Sequence, residues 1–250
     1  MISEFSLFIF TLLGGMAAGT YMATPFFAER NWTNRRALAL PLTCLFLIAV
    51  GGVALLVHLG HPERMLNAFS NPTAGIAIEG YATMFFGLMV VIDAGFILKK
   101  GSSTPLVRAL CAIGGLAVSC AMAYAYYSYT SVAAWHSLAT LPLFIIGNLA
   151  CGLALYNFFS KDGLRNMTFR WAMAATSLLL AGSLFALAVL FGVLNNDCDL
   201  IAIGILLVLA GAVIAMLADR LPQERTAAFS VAICIIVGLA LARYAFYAVI

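Results

Sequence analysis

Long apolar runs alternate with short polar interruptions from one end of the chain to the other. Cut at that punctuation, the sequence predicts helices over Phe5 to Ala28, Leu38 to His58, Gly75 to Leu98, Leu106 to Tyr129, Ser137 to Phe159, Phe169 to Leu194, Leu200 to Ala218 and Thr226 to Ile250. Each offers about the 20 apolar residues that cross roughly 30 Å of hydrocarbon. The first run is kept as a span because Met1-Ile2-Ser3-Glu4 lacks the basic start of a cleavable signal. The pattern therefore predicts an all-α, polytopic membrane bundle of about eight transmembrane helices, with residues 1–250 forming a single integral membrane domain.

Charge gives the bundle a direction. Assigning the connections alternately to two sides puts Arg30, Arg35, Arg36, Lys99, Lys100, Arg108, Lys161, Arg165, Arg170, Arg220 and Arg225 on one side, and only Arg64 and Arg243 on the other. Loops that stay in the cytoplasm retain Lys and Arg. The basic side is thus expected inside, and both termini outside, in a bacterial-type cytoplasmic membrane. Trp and Tyr at the ends of spans fit interface anchoring, with Tyr124, Tyr126, Tyr127, Tyr129 and Trp135 outside and Trp32 and Trp171 inside. Gly14, Gly15, Ala18 and Gly19 in the first span, with Gly51 and Gly52 in the second, are expected to let backbones pack closely.

Composition then excludes several chemistries. The chain is 64% hydrophobic and 9% charged, so lipid is the solvent for most side chains and nucleic acid is not an expected partner. Its six cysteines, at 44, 111, 120, 151, 198 and 234, never come in the close pairs that hold zinc or an iron–sulfur cluster. Paired haem ligands would have to be His58 and His136, both at outer span ends, which excludes two haems stacked across the membrane. No metal site and no resident redox centre is expected in this chain.

The polar residues that remain cluster on the outer side. The connection His58-Leu59-Gly60-His61-Pro62-Glu63-Arg64-Met65-Leu66-Asn67-Ala68 holds two of the three histidines. Glu79 lies about one turn inside the third span, where a carboxylate marks a proton path, a ligand or a paired charge. Arg243 sits at comparable depth in the last span, so His58, Glu79 and Arg243 are expected to converge on one pocket, with an ion pair between Glu79 and Arg243 as the alternative use of both. Such a pocket suits a quinol, which gives up two protons with two electrons. Histidine titrates near neutral pH, and arginine can balance charge while donating hydrogen bonds. Asp93, near the inner end of the third span, is expected to reach the interface or meet Lys99 or Arg108. Asn148, in mid-span, is expected to hydrogen-bond between helices.

The run His58-Leu59-Gly60, then Pro62, Arg64, Asn67 and Ala68, with Glu79 following, resembles the anchor subunit of bacterial dimethyl sulfoxide reductases, the DmsC family. Phe10-Thr11 with Ala17-Ala18-Gly19, and Arg243-Tyr244-Ala245-Phe246-Tyr247, are similar to that family's first and closing motifs. The related NrfD and polysulfide reductase anchors usually carry Asp where this chain has His58. Before Glu79 the family usually has Trp and basic residues, whereas here the run is Asn71-Pro72-Thr73-Ala74-Gly75-Ile76-Ala77-Ile78, which leaves the terminal acceptor open. The resemblance implies a haem-free anchor of about eight helices that oxidises menaquinol from the quinone pool at an outer site. Electrons would pass to an iron–sulfur subunit and on to a molybdopterin subunit, both docked at the outer face. His58 and Glu79 would be the quinol-site residues that carry the reaction, and Arg64 and Arg243 would orient the quinol or dock the partner. A small secondary transporter or proton channel lined by Glu79, Asp93 and Asn148, and an anchor with no quinone site, are the competing readings.

Overall fold

A computed structural model describes residues 4–27, 34–58, 70–221 and 224–249. Among these, eight α-helices form one bundle and no strand is present: α1 (Phe5–Ala23), α2 (Asn34–His58), α3 (Gly75–Lys100), α4 (Pro105–Tyr127), α5 (Thr140–Tyr156), α6 (Met167–Val193), α7 (Asp199–Met216) and α8 (Glu224–Tyr247). Seven are long and apolar enough to cross a membrane. Large apolar side chains on their outward faces, such as Phe46, Leu178, Phe185 and Leu206, are exposed, as lipid contact requires.

Helix ends follow local chemistry. Gly101 takes the left-handed conformation (φ 75°) that closes α3, and its N–H bonds the Ile97 carbonyl at 2.8 Å. Three residues later Thr104 caps α4 with Pro105 at its first position, a start signal that also permits a tight hairpin. Asn166 caps α6 through the N–H groups of Thr168 and Phe169 at 2.9 and 3.3 Å. The first span is shorter than expected. α1 stops at Ala23 and turns through Thr24–Phe27, where Pro25 supplies no N–H to continue the ladder.

The larger correction concerns the fifth helix. Expected over Ser137 to Phe159, it is helical only for the 17 residues Thr140–Tyr156, about 25 Å of rise. It can be short because protein surrounds it. α1, α4, α6 and α8 all pack on it, and eleven of its residues are buried, from Thr140 through Tyr156. Its tightest neighbour is α1. A Cβ on Gly19 would fall inside the Asn148 backbone carbonyl, one on Gly152 inside the Gly19 backbone, and one on Gly15 against the Asn148 amide. The expectation of close approach thus holds for Gly15 and Gly19. It fails for Gly52, which has nothing within 4 Å of a built Cβ.

The ends of α1 and α8 meet. The rings of Phe8 and Tyr244 lie 6.1 Å apart, and the hydroxyls of Thr11 and Tyr247 are 3.1 Å apart. Both described chain ends therefore lie at one end of the bundle, here called the terminal end. Lys99, Lys100, Arg108, Arg165, Arg170 and Arg220 lie toward the opposite, basic end. There Arg170 Nη1 stands 2.7 Å from Asp219 Oδ1, a charge contact whose N–H does not point squarely at the oxygen. It ties the start of α6 to the turn after α7, and the guanidinium holds the Asp219 carboxyl below the usual carboxylate range.

Two outcomes follow for stability. Gly19→Ala and Gly152→Ala are expected to cost about 1–3 kcal/mol or more by overpacking, whereas Gly182→Ala, with open space around it, leaves thermal unfolding in detergent unchanged or slightly raised. Asp219→Asn is expected to lower the melting temperature at neutral pH. Because the folded carboxyl is the stronger acid, its contribution is present above the unfolded carboxylate pKa and fades as pH falls through the folded one, so variant and wild type converge in acid.

Candidate functional site

Glu79 is the fifth residue of α3, which starts after a turn in which Thr73 Oγ donates to Asn71 Oδ1 at 2.8 Å. Its side chain is 8% exposed, and its Oε1 is buried without a hydrogen-bond donor. Among the described residues it forms no ion pair, so the alternative pairing with Arg243 is not made. Unpaired buried carboxyl oxygens are expensive and rare in folded proteins, which makes their surroundings informative.

Two cavities meet at this carboxyl. One, of about 520 Å³, runs between α2 and α3 with Phe10 of α1 on its wall, and is apolar except for Glu79 and Thr83. The second, of about 380 Å³, lies at the terminal end between Glu4, Gly75, Ala125, Tyr126, Tyr129 and Trp135. Leu55, Ile76 and Glu79 line both. An amphipathic molecule could thus lie in the first while the second connects Glu79 to the bundle's terminal surface.

His58 is the last helical residue of α2, one turn beyond Leu55, so its backbone lies at the same end of the bundle as Glu79. Its side chain, together with His61 and Arg64, lies outside the described residues. His136 is exposed and fastened to the loop, with its Nδ1 2.6 Å from the Tyr127 carbonyl and its ring stacked on Tyr127.

Arg243 lines neither cavity, which corrects the expected three-way convergence with Glu79. It is fully buried one layer behind, where Nη1 donates to the Thr11 carbonyl and Nη2 to Asn148 Oδ1, both at 2.7 Å. Its guanidinium carbon stands 4.7 Å from the Phe144 ring centre. Asn148 in turn donates to Ser119 Oγ at 3.0 Å, the interhelical role expected of it. Between this network and Glu79 stands an aromatic wall. Tyr126 stacks on Phe144 at 5.0 Å, meets the Tyr247 ring edge-on at 5.3 Å, and faces the second cavity. Trp135 donates from its ring N–H to the Phe246 carbonyl at 2.7 Å. Tyr126 and Trp135 are therefore buried structural residues rather than the interface anchors expected, while Tyr124 and Tyr129 are half exposed. Their signal was present in the sequence only as an unusual density of aromatic residues near the ends of α4 and α8.

Asp93 also departs from expectation. It is 1% exposed and accepts a 2.8 Å hydrogen bond from the Tyr21 hydroxyl instead of reaching the interface. Cys44, Cys111 and Cys151 are buried, and no group of three or more His, Cys, Asp or Glu gathers among the described residues.

Compared with known families, residues 1–248 match the family described as DMSO reductase anchor subunit (DmsC). No curated protein matches the chain. The segments similar to that family's motifs come together in space. Thr11 of α1 accepts Arg243 through its carbonyl and meets Tyr247 through its hydroxyl.

Removing the arginine is expected to unsettle this end of the bundle. Arg243→Ala leaves the Thr11 carbonyl and Asn148 amide without a donor and is expected to cost roughly 2–4 kcal/mol, read as a lowered melting temperature of the purified protein. Arg243→Lys is not expected to restore it, because one ammonium lacks the planar fork that reaches both acceptors.

Proposed function

The chain belongs to the DMSO reductase anchor subunit (DmsC) family, and from that premise we propose that it oxidises menaquinol at Glu79 and delivers the electrons to the complex it anchors. The single observation that carries this reading is the buried, unpaired Glu79 oxygen at the junction of an apolar groove and a second cavity at the terminal end. A reduced quinone is a lipid. It reaches its site from the bilayer, and it must lose two protons and two electrons to become the quinone.

The division of labour follows from the surroundings. The groove between α2 and α3 admits the quinol from lipid. Glu79 accepts a hydroxyl proton, and the cavity bounded by Glu4, Tyr126, Tyr129 and Trp135 leads that proton to water at the terminal end. His58, at the end of α2, is the second acceptor in this reading, since imidazole titrates near neutral pH. Arg64 orients the quinol or docks the partner. Arg243 acts from behind the aromatic wall, fixing the scaffold and biasing the local potential toward negative charge on the quinol.

In the alternation of connections read from the sequence, eleven of the chain's 13 Lys and Arg are assigned to the side opposite the termini, which supports both termini and the quinol site facing outward from a bacterial-type cytoplasmic membrane. The electrons leave at that face to an iron–sulfur subunit and then to a molybdopterin subunit. Protons released outward, with electrons also consumed outside, move no net charge across the membrane.

Glu79→Gln keeps the size and removes the proton acceptor. In the assembled complex it is expected to abolish quinol-dependent reduction of the terminal acceptor, by at least about 100-fold, the scale of a lost general base, while the melting temperature stays within a degree or two of wild type. Oxidation of menaquinol at the wild-type rate in this variant would remove Glu79 from the mechanism.

A further inference from the structure

Five hydroxyls on the spans bond a carbonyl of their own helix, the usual use of such a group where water is absent: Thr11 to Phe8, Thr20 to Met16, Ser119 to Gly115, Thr176 to Ala172 and Ser183 to Leu179. Thr83 does not. Its Oγ1 is buried, has no hydrogen-bond partner, and belongs to a residue that lines the groove between α2 and α3. Glu79 Oε1, the other unpartnered oxygen on this wall, lies one turn earlier on the same helix. Four residues of helix rise set their backbone positions about 6 Å apart along the axis, comparable to the distance between the two ring oxygens of a para-quinol.

The rest of the groove is long and bare. On α3 its lining runs from Ile76 to Val91, and from Glu79 to Val91 the helix rises roughly 18 Å. Two of its residues, Gly52 on α2 and Gly87 on α3, have nothing within 4 Å of a built Cβ, so they are open to the groove and do not serve close helix packing. Polar atoms at one end and a glycine-widened apolar trough toward the other form the negative of a molecule with a polar ring and a long hydrocarbon tail.

We infer that Thr83 is a positioning residue that hydrogen-bonds the second ring oxygen of the quinol while Glu79 engages the first, and that the prenyl tail lies in the trough over Gly52 and Gly87. This rests on the quinol-oxidising reading above. In the quinol the Thr83 oxygen accepts from a ring hydroxyl, and in the quinone its O–H donates to the ring carbonyl, so the same residue holds both redox forms. The proton of that second hydroxyl goes to the Glu79 carboxylate, one turn away on the same helix, after Glu79 has passed the first toward His58 and the terminal cavity.

The test uses the assembled complex in liposomes with two substrates, a prenylated naphthoquinol and the same ring without a tail. Thr83→Val, which keeps the shape, is expected to raise KM for both about tenfold, the worth of one well-placed hydrogen bond, with kcat little changed, and Thr83→Ser is expected to restore it. Gly87→Leu is expected to raise KM for the prenylated quinol at least about tenfold and to leave the tail-less one within about twofold. If Gly87→Leu proves to melt lower than wild type, Gly87→Ala and Gly52→Ala are read by the same substrate comparison.

For the Gly87 and Gly52 variants, equal effects on both quinols, or none on either, would mean that the trough holds a lipid acyl chain instead of the substrate's tail. An unchanged KM in Thr83→Val would remove that residue. The underlying reading is judged separately. A Glu79→Gln complex that still oxidises both quinols sinks the site as a whole, whereas one that is inactive alongside silent Thr83 and Gly87 variants sinks only this assignment.

Discussion

A guanidinium that has lost all contact with water must find its acceptors inside the protein, and Arg243 finds them on two other helices. One arm reaches the Thr11 carbonyl of α1, the other reaches Asn148 of α5, and the Phe144 ring of α5 faces the cation. Asn148 extends the chain of bonds to Ser119 of α4. Four helices from both halves of the sequence are thereby held in one register at the terminal end. No carboxylate enters the network among the described residues, so the positive charge is answered by dipoles and an aromatic face alone.

The contrast with Glu79 defines the site. Both groups are buried and ionisable, yet the arginine fork is bonded on two arms and the Glu79 Oε1 on none. Structural polar groups in proteins are normally satisfied, because leaving one bare costs about 1–3 kcal/mol. The bare one faces two cavities, and its neighbour Thr83 is bare as well. Tyr126, Tyr247 and Trp135 stand between the Arg243 network, in which only Nε lacks a partner, and Glu79, so among the described residues the Glu79 Oε1 stays without a donor although a cation lies beyond the wall.

Packing around α5 explains how such a layer is built in lipid. Without a hydrophobic drive between helices, close contact depends on small residues that let dispersion and polar bonds act at short range. Gly15, Gly19 and Gly152 bring α1 and α5 together at the level of Asn148, within reach of Arg243. Being enclosed, α5 does not need to span the hydrocarbon as a continuous helix. Its approach is made instead by the loop that carries Trp135 and His136.

The linear sequence determined the membrane class, the eight helices, their alternation and the polarity of basic residues, because each depends on the composition of a contiguous stretch and on the thickness of the bilayer. It also singled out Glu79, since a carboxylate inside an apolar run stands out without reference to any neighbour, and it led to Asn148 as an interhelical contact. It was wrong about Asp93, which a tyrosine from α1 covers, and about Tyr126 and Trp135, which neighbours bury. Thr83, Gly52 and Gly87 look in sequence like any small or polar residue of a span. Only tertiary packing decided that Arg243 turns to α1 and α5 while Glu79 is left open to a groove, because which buried group finds a partner depends on residues as far as 232 and 95 positions away in the chain and adjacent in the bundle.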